Sequence, residues 1–359
     1  MLPPNQHRPK VLYLYAGSRR EFYAKWRQGL VPDTQLLGLN HLENLGVTAK
    51  FIEWPIAEWL RRVNFNLVHL PYIFAIKRYD IVFICAGLPL VFLAKHILRW
   101  QKPKFVIYNT SLTNTLKRNP SGLSGLFLRK AINGIDMIVC TSRQQETFLI
   151  SKGFDKTKIT FAPIGIDASR FAKYKPSASA AVPEYILSVG RDVGRDYKTL
   201  FEAVKSLPIR IIVATKKEAI KGLTIPPNVE IRFNIPYEEM PALYHDATLV
   251  VTPLYKNDSP SGSDTSGQYG YLEPMAAGKA VITADRPAVR DYVADGEDAI
   301  LYEPENPSDL RKKIELLLKE KILRSRLAAT GQKKVLANFT SEKFAESLLE
   351  IFLGLENNT

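Results

Sequence analysis

The chain has 359 residues, 46% of them hydrophobic and 24% charged. Such a chain is too long for one compact core and has the balance of a water-soluble globular protein, so two domains are expected. No apolar run approaches the roughly 20 residues of a bilayer-spanning helix, and Met1 to Lys10 lacks the apolar stretch of a secretory signal, so a cytoplasmic location is expected.

Charge is spread unevenly. Residues 1–180 hold 26 Lys+Arg against 10 Asp+Glu, whereas residues 181–359 hold 23 against 26. A basic first half suits an anionic lipid surface or a nucleic acid; a plainly soluble basic domain is the third reading. Cys85 and Cys140 both lie inside apolar, strand-like runs. They read as small buried hydrophobes of a reducing compartment, not as a disulfide or a metal pair.

In chain order, Val11–Tyr15 reads as a buried first strand, ending at Ala16-Gly17 and a polar, basic loop from Ser18 to Glu21. Leu36, Leu37, Leu39, Leu42 and Leu45 have helical spacing, with Gly46 placed to end the helix. Lys50–Trp54, Asp80–Gly87, Lys104–Tyr108 and Ile135–Cys140 are further strands, with helices at Val91–Trp100 and about Phe127–Ile132. Thr141-Ser142 with Glu146 opens a capped helix, and Lys158–Pro163 is another strand. Composition changes from Ala168 to Pro183, and Lys173–Pro183, without periodicity, reads as a linker.

The alternation then restarts. Tyr185–Gly190, Ile209–Ala214, Val229–Phe233 and Leu249–Val251 read as strands, and Tyr197–Leu207 as a helix. Asn306-Pro307 caps a further helix, and Thr340–Leu353 carries one apolar stripe through Phe344, Leu348, Ile351 and Phe352. Strands apolar on both faces, alternating with helices, mean parallel sheets covered on both sides. The fold class is therefore α/β, with two Rossmann-like domains: residues 1–178 joined by 340–359, and residues 179–339. Ligands of such sheets bind outside the carboxyl ends of the strands, here expected across a cleft between the domains.

Two stretches of the second half suit phosphate. In Ser188-Val189-Gly190-Arg191-Asp192-Val193-Gly194-Arg195-Asp196-Tyr197-Lys198, two arginines follow a strand in a loop at the carboxyl edge. Their spacing lets both guanidinium groups reach one anion from one side, unless Asp192 and Asp196 pair with them. In Ser263-Asp264-Thr265-Ser266-Gly267-Gln268-Tyr269-Gly270-Tyr271-Leu272-Glu273, a loop of turn formers runs into a helix. The first N–H groups of that helix and its dipole favour a phosphate, and Glu273 sits where a carboxylate holds sugar hydroxyls. No G-x-G-x-x-G is present, which weakens a nicotinamide-dinucleotide reading.

The second half resembles the donor domain of GT-B glycosyltransferases, most closely the retaining family 4. The resemblance lies in Gly190-Arg191 with the later Arg195 or Lys198, and in Gly270-Tyr-Leu-Glu273-Pro-Met-Ala-Ala-Gly278-Lys-Ala-Val-Ile282. It continues in Asp291 to Pro304 and, in the first half, in Cys140-Thr-Ser142 through Gly153 to Gly165-Ile166-Asp167. The resemblance implies sugar transfer from a nucleotide-sugar with retention of anomeric configuration, and no metal or cofactor.

It further implies that Arg191 and Arg195 stabilise the leaving diphosphate. The donor would be held by Gly190, Lys198, Asp264, Thr265, Ser266, Gly267, Gln268, Tyr269 and Glu273. The acceptor side falls on Gly17, Ser18 and Arg19. The acceptor is a glycan, a lipid-linked molecule or a small molecule, an anionic membrane is a possible partner of the basic half, and no nucleic acid is expected. The alternatives within the fold are a nucleotide-sugar-binding protein without transferase activity and an epimerase.

Three departures stand out. The family's first Glu falls on Thr265, leaving Asp264 and the Gly267-Gln268 amides at the sugar end. Pro274 replaces Ala, so the helix is expected to be short or distorted there. The family's N-terminal His is absent, and His41, His69, His96 and His245 read as structural.

Overall fold

The computed structural model describes residues 8–118, 122–174, 184–192, 194–256 and 267–357. Two compact units form: Met1–Gly165 with Ser341–Thr359, hereafter unit 1, and Ile166–Thr340, unit 2.

Unit 1 is built on strands β1 (Lys10–Leu14), β2 (Thr48–Phe51), β3 (Ile81–Ile84), β4 (Lys104–Tyr108), β5 (Met137–Cys140) and β6 (Ile159–Phe161). All pairings are parallel, in the order β2-β1-β3-β4-β5-β6. Unit 2 uses β7 (Tyr185–Val189), β8 (Arg210–Thr215), β9 (Val229–Phe233), β10 (Leu249–Thr252), β11 (Val281–Ala284) and β12 (Ile300–Tyr302). Its order is β12-β11-β10-β7-β8-β9, again all parallel.

Central strands such as Ile81-Val-Phe-Ile84 and Leu249-Val-Val-Thr252 are buried at every residue, because helices cover both faces. The chain reverses its direction of progress at β1/β3 in unit 1 and at β7/β10 in unit 2. At such a switch point the two outgoing loops part, and a crevice opens outside the carboxyl ends.

Three expectations need correction. The leucine-spaced segment is not one helix. Asp33–Leu36 is a 3-10 turn and Leu39–Leu42 a single helical turn, separated by left-handed Leu37 (φ 52°) and Gly38 (φ 80°). Leu36, Leu39 and Leu42 are all buried, a spacing of three that a tighter turn serves as well as an α-helix.

The helix placed at Val91–Trp100 instead begins at Leu88, and runs as α-helix to Phe92 and as a π-turn over Leu93–Ile97. Finally, the chain passes into unit 2 at Ile166, ahead of residue 179. Ile166 bridges Thr340 and donates its N–H to the Phe339 carbonyl (2.9 Å), and the Ala168–Ala172 helix packs within unit 2. The remainder of the expected linker, residues 175–183, lies outside the described residues.

The C-terminal helix Ser341–Asn357 returns to unit 1. Its buried Phe344 and Phe352 meet the rings of Tyr108 and Phe83, and the Ser341 hydroxyl donates to buried Asp33 (2.5 Å). Among the described residues no helix is long and apolar enough to cross a membrane.

Candidate functional site

At the unit 2 switch point, β7 ends in Gly190 and β10 leads towards Gly267. The two outgoing loops are stitched together: Arg195 bridges Leu254, Asp196 N–H reaches the Pro253 carbonyl (3.2 Å), and Tyr255 N–H reaches that of Gly194 (3.2 Å). Arg195 is thereby drawn under the β10 loop, and is 6% exposed.

Glycines make the room. A Cβ on Gly190 would lie 1.9 Å from Arg195 Nε, one on Gly270 2.9 Å from Nη2, and one on Gly267 3.3 Å from Nη1. Gly190 is therefore required by the arginine beside it. Its own carbonyl is taken by Tyr197 Oη (2.8 Å) and Thr215 Oγ1 (2.7 Å). Arg195 Nε lies 3.2 Å from the Asp192 carboxylate, the pairing weighed from sequence, whereas Asp196 instead caps the Tyr197–Val204 helix through Thr199 N–H. Among the described residues, Arg195 Nη1 and the buried Gln268 Nε2 have no hydrogen-bond partner, and Arg195 Nε has only its ion pair with Asp192. Buried donors of this kind are costly unless something fills them.

Gly267 (φ 103°) caps the helix Gln268–Ala276. Apolar nearly all round, this helix is buried over almost its whole length, as such helices are. It runs through Pro274 for nine residues and is not shortened there. Proline removes the N–H that would bond Gly270 O, and the Thr252 hydroxyl takes that carbonyl instead (2.7 Å). On the same helix, Glu273 is 9% exposed and accepts from Tyr244 Oη (3.0 Å). Burial lifts its carboxyl to about 7, against the Tyr244 hydrogen bond and the Arg195 charge, which pull it down. Burial, and then Glu273 itself, keep the Tyr244 hydroxyl protonated and so a donor.

Among the sequence-derived candidates, the structure brings together Gly190, Arg195, Gly267 and Gln268. It separates Arg191 from Arg195: Arg191 is exposed, and its Nη2 donates to the Ile235 carbonyl beyond β9 (2.9 Å), so the two guanidinium groups do not converge on one point. Lys198 is exposed on the first turn of its helix, and Tyr269 is half-buried. Asp264, Thr265 and Ser266 lie outside the described residues. Tyr244, Thr252 and Thr215 complete the arrangement, and as apolar-strand or helix residues they carried no signal in the sequence.

In unit 1, Gly17 and Ser18 line a cavity of about 540 Å³ at the carboxyl ends of β1 and β2, with Trp54, Tyr72, Glu53 and Arg61 among its walls. Glu53 accepts from Ser18 Oγ (2.9 Å) and from the Arg19 N–H. Arg19 itself turns aside, its guanidinium over the Tyr15 ring and bonded to the Gln35 carbonyl (3.2 Å). The described histidines have structural partners. His69 faces the Tyr15 and Ala86 carbonyls (3.0 Å each), His96 the Lys130 carbonyl, His41 Asp33 and His245 Asp246.

Residues 7–170 match the family described as Glycosyltransferase Family 4, and residues 170–334 match Glycosyl transferases group 1. No curated protein sequence gives a significant match. Among solved structures, HepE from Anabaena in complex with UDP-glucose superposes with a TM-score of 0.70 at 14% identity, covering 96% of this chain and 99% of its own. Sucrose-phosphate synthase from Thermosynechococcus elongatus gives 0.73 at 18%, covering 98% and 100%. A glycosyltransferase from Rickettsia africae gives 0.69 at 15%, covering 99% and 100%. At these identities the likeness is one of fold, and it spans both units.

Proposed function

This chain belongs to the GT-B glycosyltransferases of the group 1 and family 4 type, and from that premise we propose that unit 2 binds a nucleoside diphosphate sugar through Arg195 and the Gly267 turn. The carrying observation is the buried Arg195 guanidinium. Its Nη1 and the Gln268 amide have no hydrogen-bond partner among the described residues, at the N-terminus of a nine-residue helix and at a switch point, and its Nε has only the ion pair with Asp192. A departing diphosphate gains negative charge, and fixed donors already aimed at it lower the barrier without reorganising. Arg195 offers a fork, and the helix start adds N–H groups and its dipole. Glu273 accepts from the ribose hydroxyls, and Asp264, Thr265, Ser266 and Tyr269 belong to the sugar end.

Arg191 and Lys198 are exposed on the same loop and helix start, and in this reading supply longer-range positive charge. Transfer proceeds with retention and without metal, to an acceptor held by unit 1 beside Gly17, Ser18 and Arg19. The lining of Trp54, Tyr72 and Ala57 in the unit 1 cavity favours an acceptor with an apolar part, such as a lipid-linked glycan. Reaching it would place the enzyme on the inner face of an anionic membrane.

UDP is the nucleotide to test first, since the HepE structures hold UDP-glucose, UDP with glucose, and UDP. UDP should raise the melting temperature more than GDP or ADP. Arg195→Ala should abolish that rise and cut turnover of labelled UDP-sugar roughly 100- to 1,000-fold, the usual loss when one such donor is removed. Arg191→Ala should cost roughly tenfold or less, as an exposed charge does. An Arg195→Ala enzyme with wild-type donor affinity and rate would sink the assignment. Turnover that persists in EDTA and gives a product of unchanged anomeric configuration would support the remainder.

A further inference from the structure

The helix Pro55–Val63 turns its apolar face outward. Ile56, Trp59 and Val63 recur at helical spacing and are 55%, 60% and 62% exposed. On the opposite side Ala57 is buried, and Glu58 and Arg61, paired with each other, line the 540 Å³ cavity. A surface helix of a soluble domain ordinarily does the reverse.

The apolar surface continues. Phe65, 47% exposed, follows in the next turn, and it shares a second cavity of about 290 Å³ with Ser124 and Phe127 of the helix Gly122–Asn133. That helix exposes Leu123 (86%) and Leu126 (53%). Single exposed apolar residues need no explanation, but a contiguous set marks an interaction surface. Cations lie on the first helix and on a third one that borders the second cavity. Arg62 is exposed on the first helix, and Lys117 and Arg118 end the helix Leu112–Lys117, whose Thr115 lines the second cavity. Unit 1 as a whole carries 24 Lys+Arg against 13 Asp+Glu, and unit 2 carries 25 against 23.

We infer that this face of unit 1 docks on an anionic lipid bilayer. Ile56, Trp59, Val63 and Leu123 enter the boundary between headgroups and acyl chains, and Arg62 with Arg118 meets lipid phosphates. An indole ring is suited to that boundary, and clustered Lys and Arg are attracted to the negative leaflet within about a Debye length. Because one helix carries the docking stripe on one side and a wall of the larger cavity on the other, docking brings that cavity to within about a helix diameter, roughly 10 Å, of the membrane. An amphiphilic acceptor then enters it with its tail still in lipid. This last step rests on the acceptor reading above; the docking rests on the exposed stripe and its charges.

The full chain is sedimented with vesicles of phosphatidylcholine alone, and with vesicles of phosphatidylcholine and phosphatidylglycerol. Binding is expected to the anionic vesicles, to weaken with added salt, and to fall roughly tenfold or more in the double variant Ile56→Glu/Trp59→Glu. The variant should keep the wild-type melting temperature and its response to UDP, which separates lost docking from lost folding. Equal sedimentation of wild type and variant, or equal binding to both kinds of vesicle, would overturn the proposal. So would a wild-type dimer in light scattering that the variant makes monomeric, since a second copy would then cover the face. Vesicle binding without any response to UDP would support docking while removing the donor assignment.

Discussion

Both units place a glycine just past a switch-point strand, and in both that glycine admits a buried side chain. In unit 2 a Cβ on Gly190 would strike Arg195; in unit 1 a Cβ on Gly87 would lie 2.3 Å from His69 Nδ1. What is admitted differs. His69 has both ring nitrogens against carbonyls of its own unit, Tyr15 and Ala86; burial favours the neutral ring, whose single N–H is taken by one of them, so no donor is left over. Arg195 keeps Nη1 without a hydrogen-bond partner among the described residues. One topology thus yields an edge with no donor to spare beside an aromatic-lined cavity, and an edge with donors left over. Leftover buried donors, not the switch point itself, mark where an anion belongs.

The comparison is broken most directly at its two glycines. Gly190→Ala should displace Arg195 and reproduce most of the loss of Arg195→Ala, roughly 100-fold or more in turnover, measured with labelled UDP-sugar. A fully active Gly190→Ala enzyme would show that the arginine need not lie where it does.

Glu273 offers a second test, through pH. Its folded carboxyl titrates at about 7 against an ordinary 4.5, so between those values the folded state binds more protons than the unfolded one. Stability must therefore fall as pH rises from 4.5 to 7, and stay lower above. Glu273→Gln should flatten that slope and raise the unfolding free energy at pH 8 relative to wild type by up to about 3 kcal/mol, at roughly 1.4 kcal/mol per unit, read by denaturant titration. An unchanged pH profile would mean the carboxyl is not held in a dry site.

The smallest effect is expected at Gly87. Gly87→Ala meets both His69 and a backbone at φ 90°, and should cost about 1–3 kcal/mol of stability. The thermal response to UDP should be untouched. If Gly87→Ala abolished that response, the two edges would not be chemically distinct.

Much of the architecture was legible in the sequence, because it depends on local properties. Lys104–Tyr108 and Val229–Phe233 are strands at the residues their apolar runs suggest. Asn306 and Ser142 cap their helices by accepting from the N–H three residues on, as short polar side chains do. The break at Leu37 and Gly38 was not legible. A spacing of three leucines fits more than one helix type, and the choice was made by Asp33, buried among His41, Asn40 and the distant Ser341. Nor did composition locate the passage between units, because a polar linker tells where the chain is exposed and not on which sheet the preceding helix packs.

The donor-site residues divide in the same way. Sequence by itself determined that Gly190, two nearby arginines, and a loop-helix carrying Gly267 and Glu273 would lie at strand ends. Those are properties of residue type and order along the chain. Tertiary structure alone decided that Arg195 is buried while Arg191 turns out to Ile235, that Tyr244 donates to Glu273 from 29 residues away, and that Thr252 stands in for the hydrogen bond Pro274 removes. Each of these depends on which groups are cut off from water and which partner is then in reach, and a guanidinium or a carboxyl carries neither fact in its name.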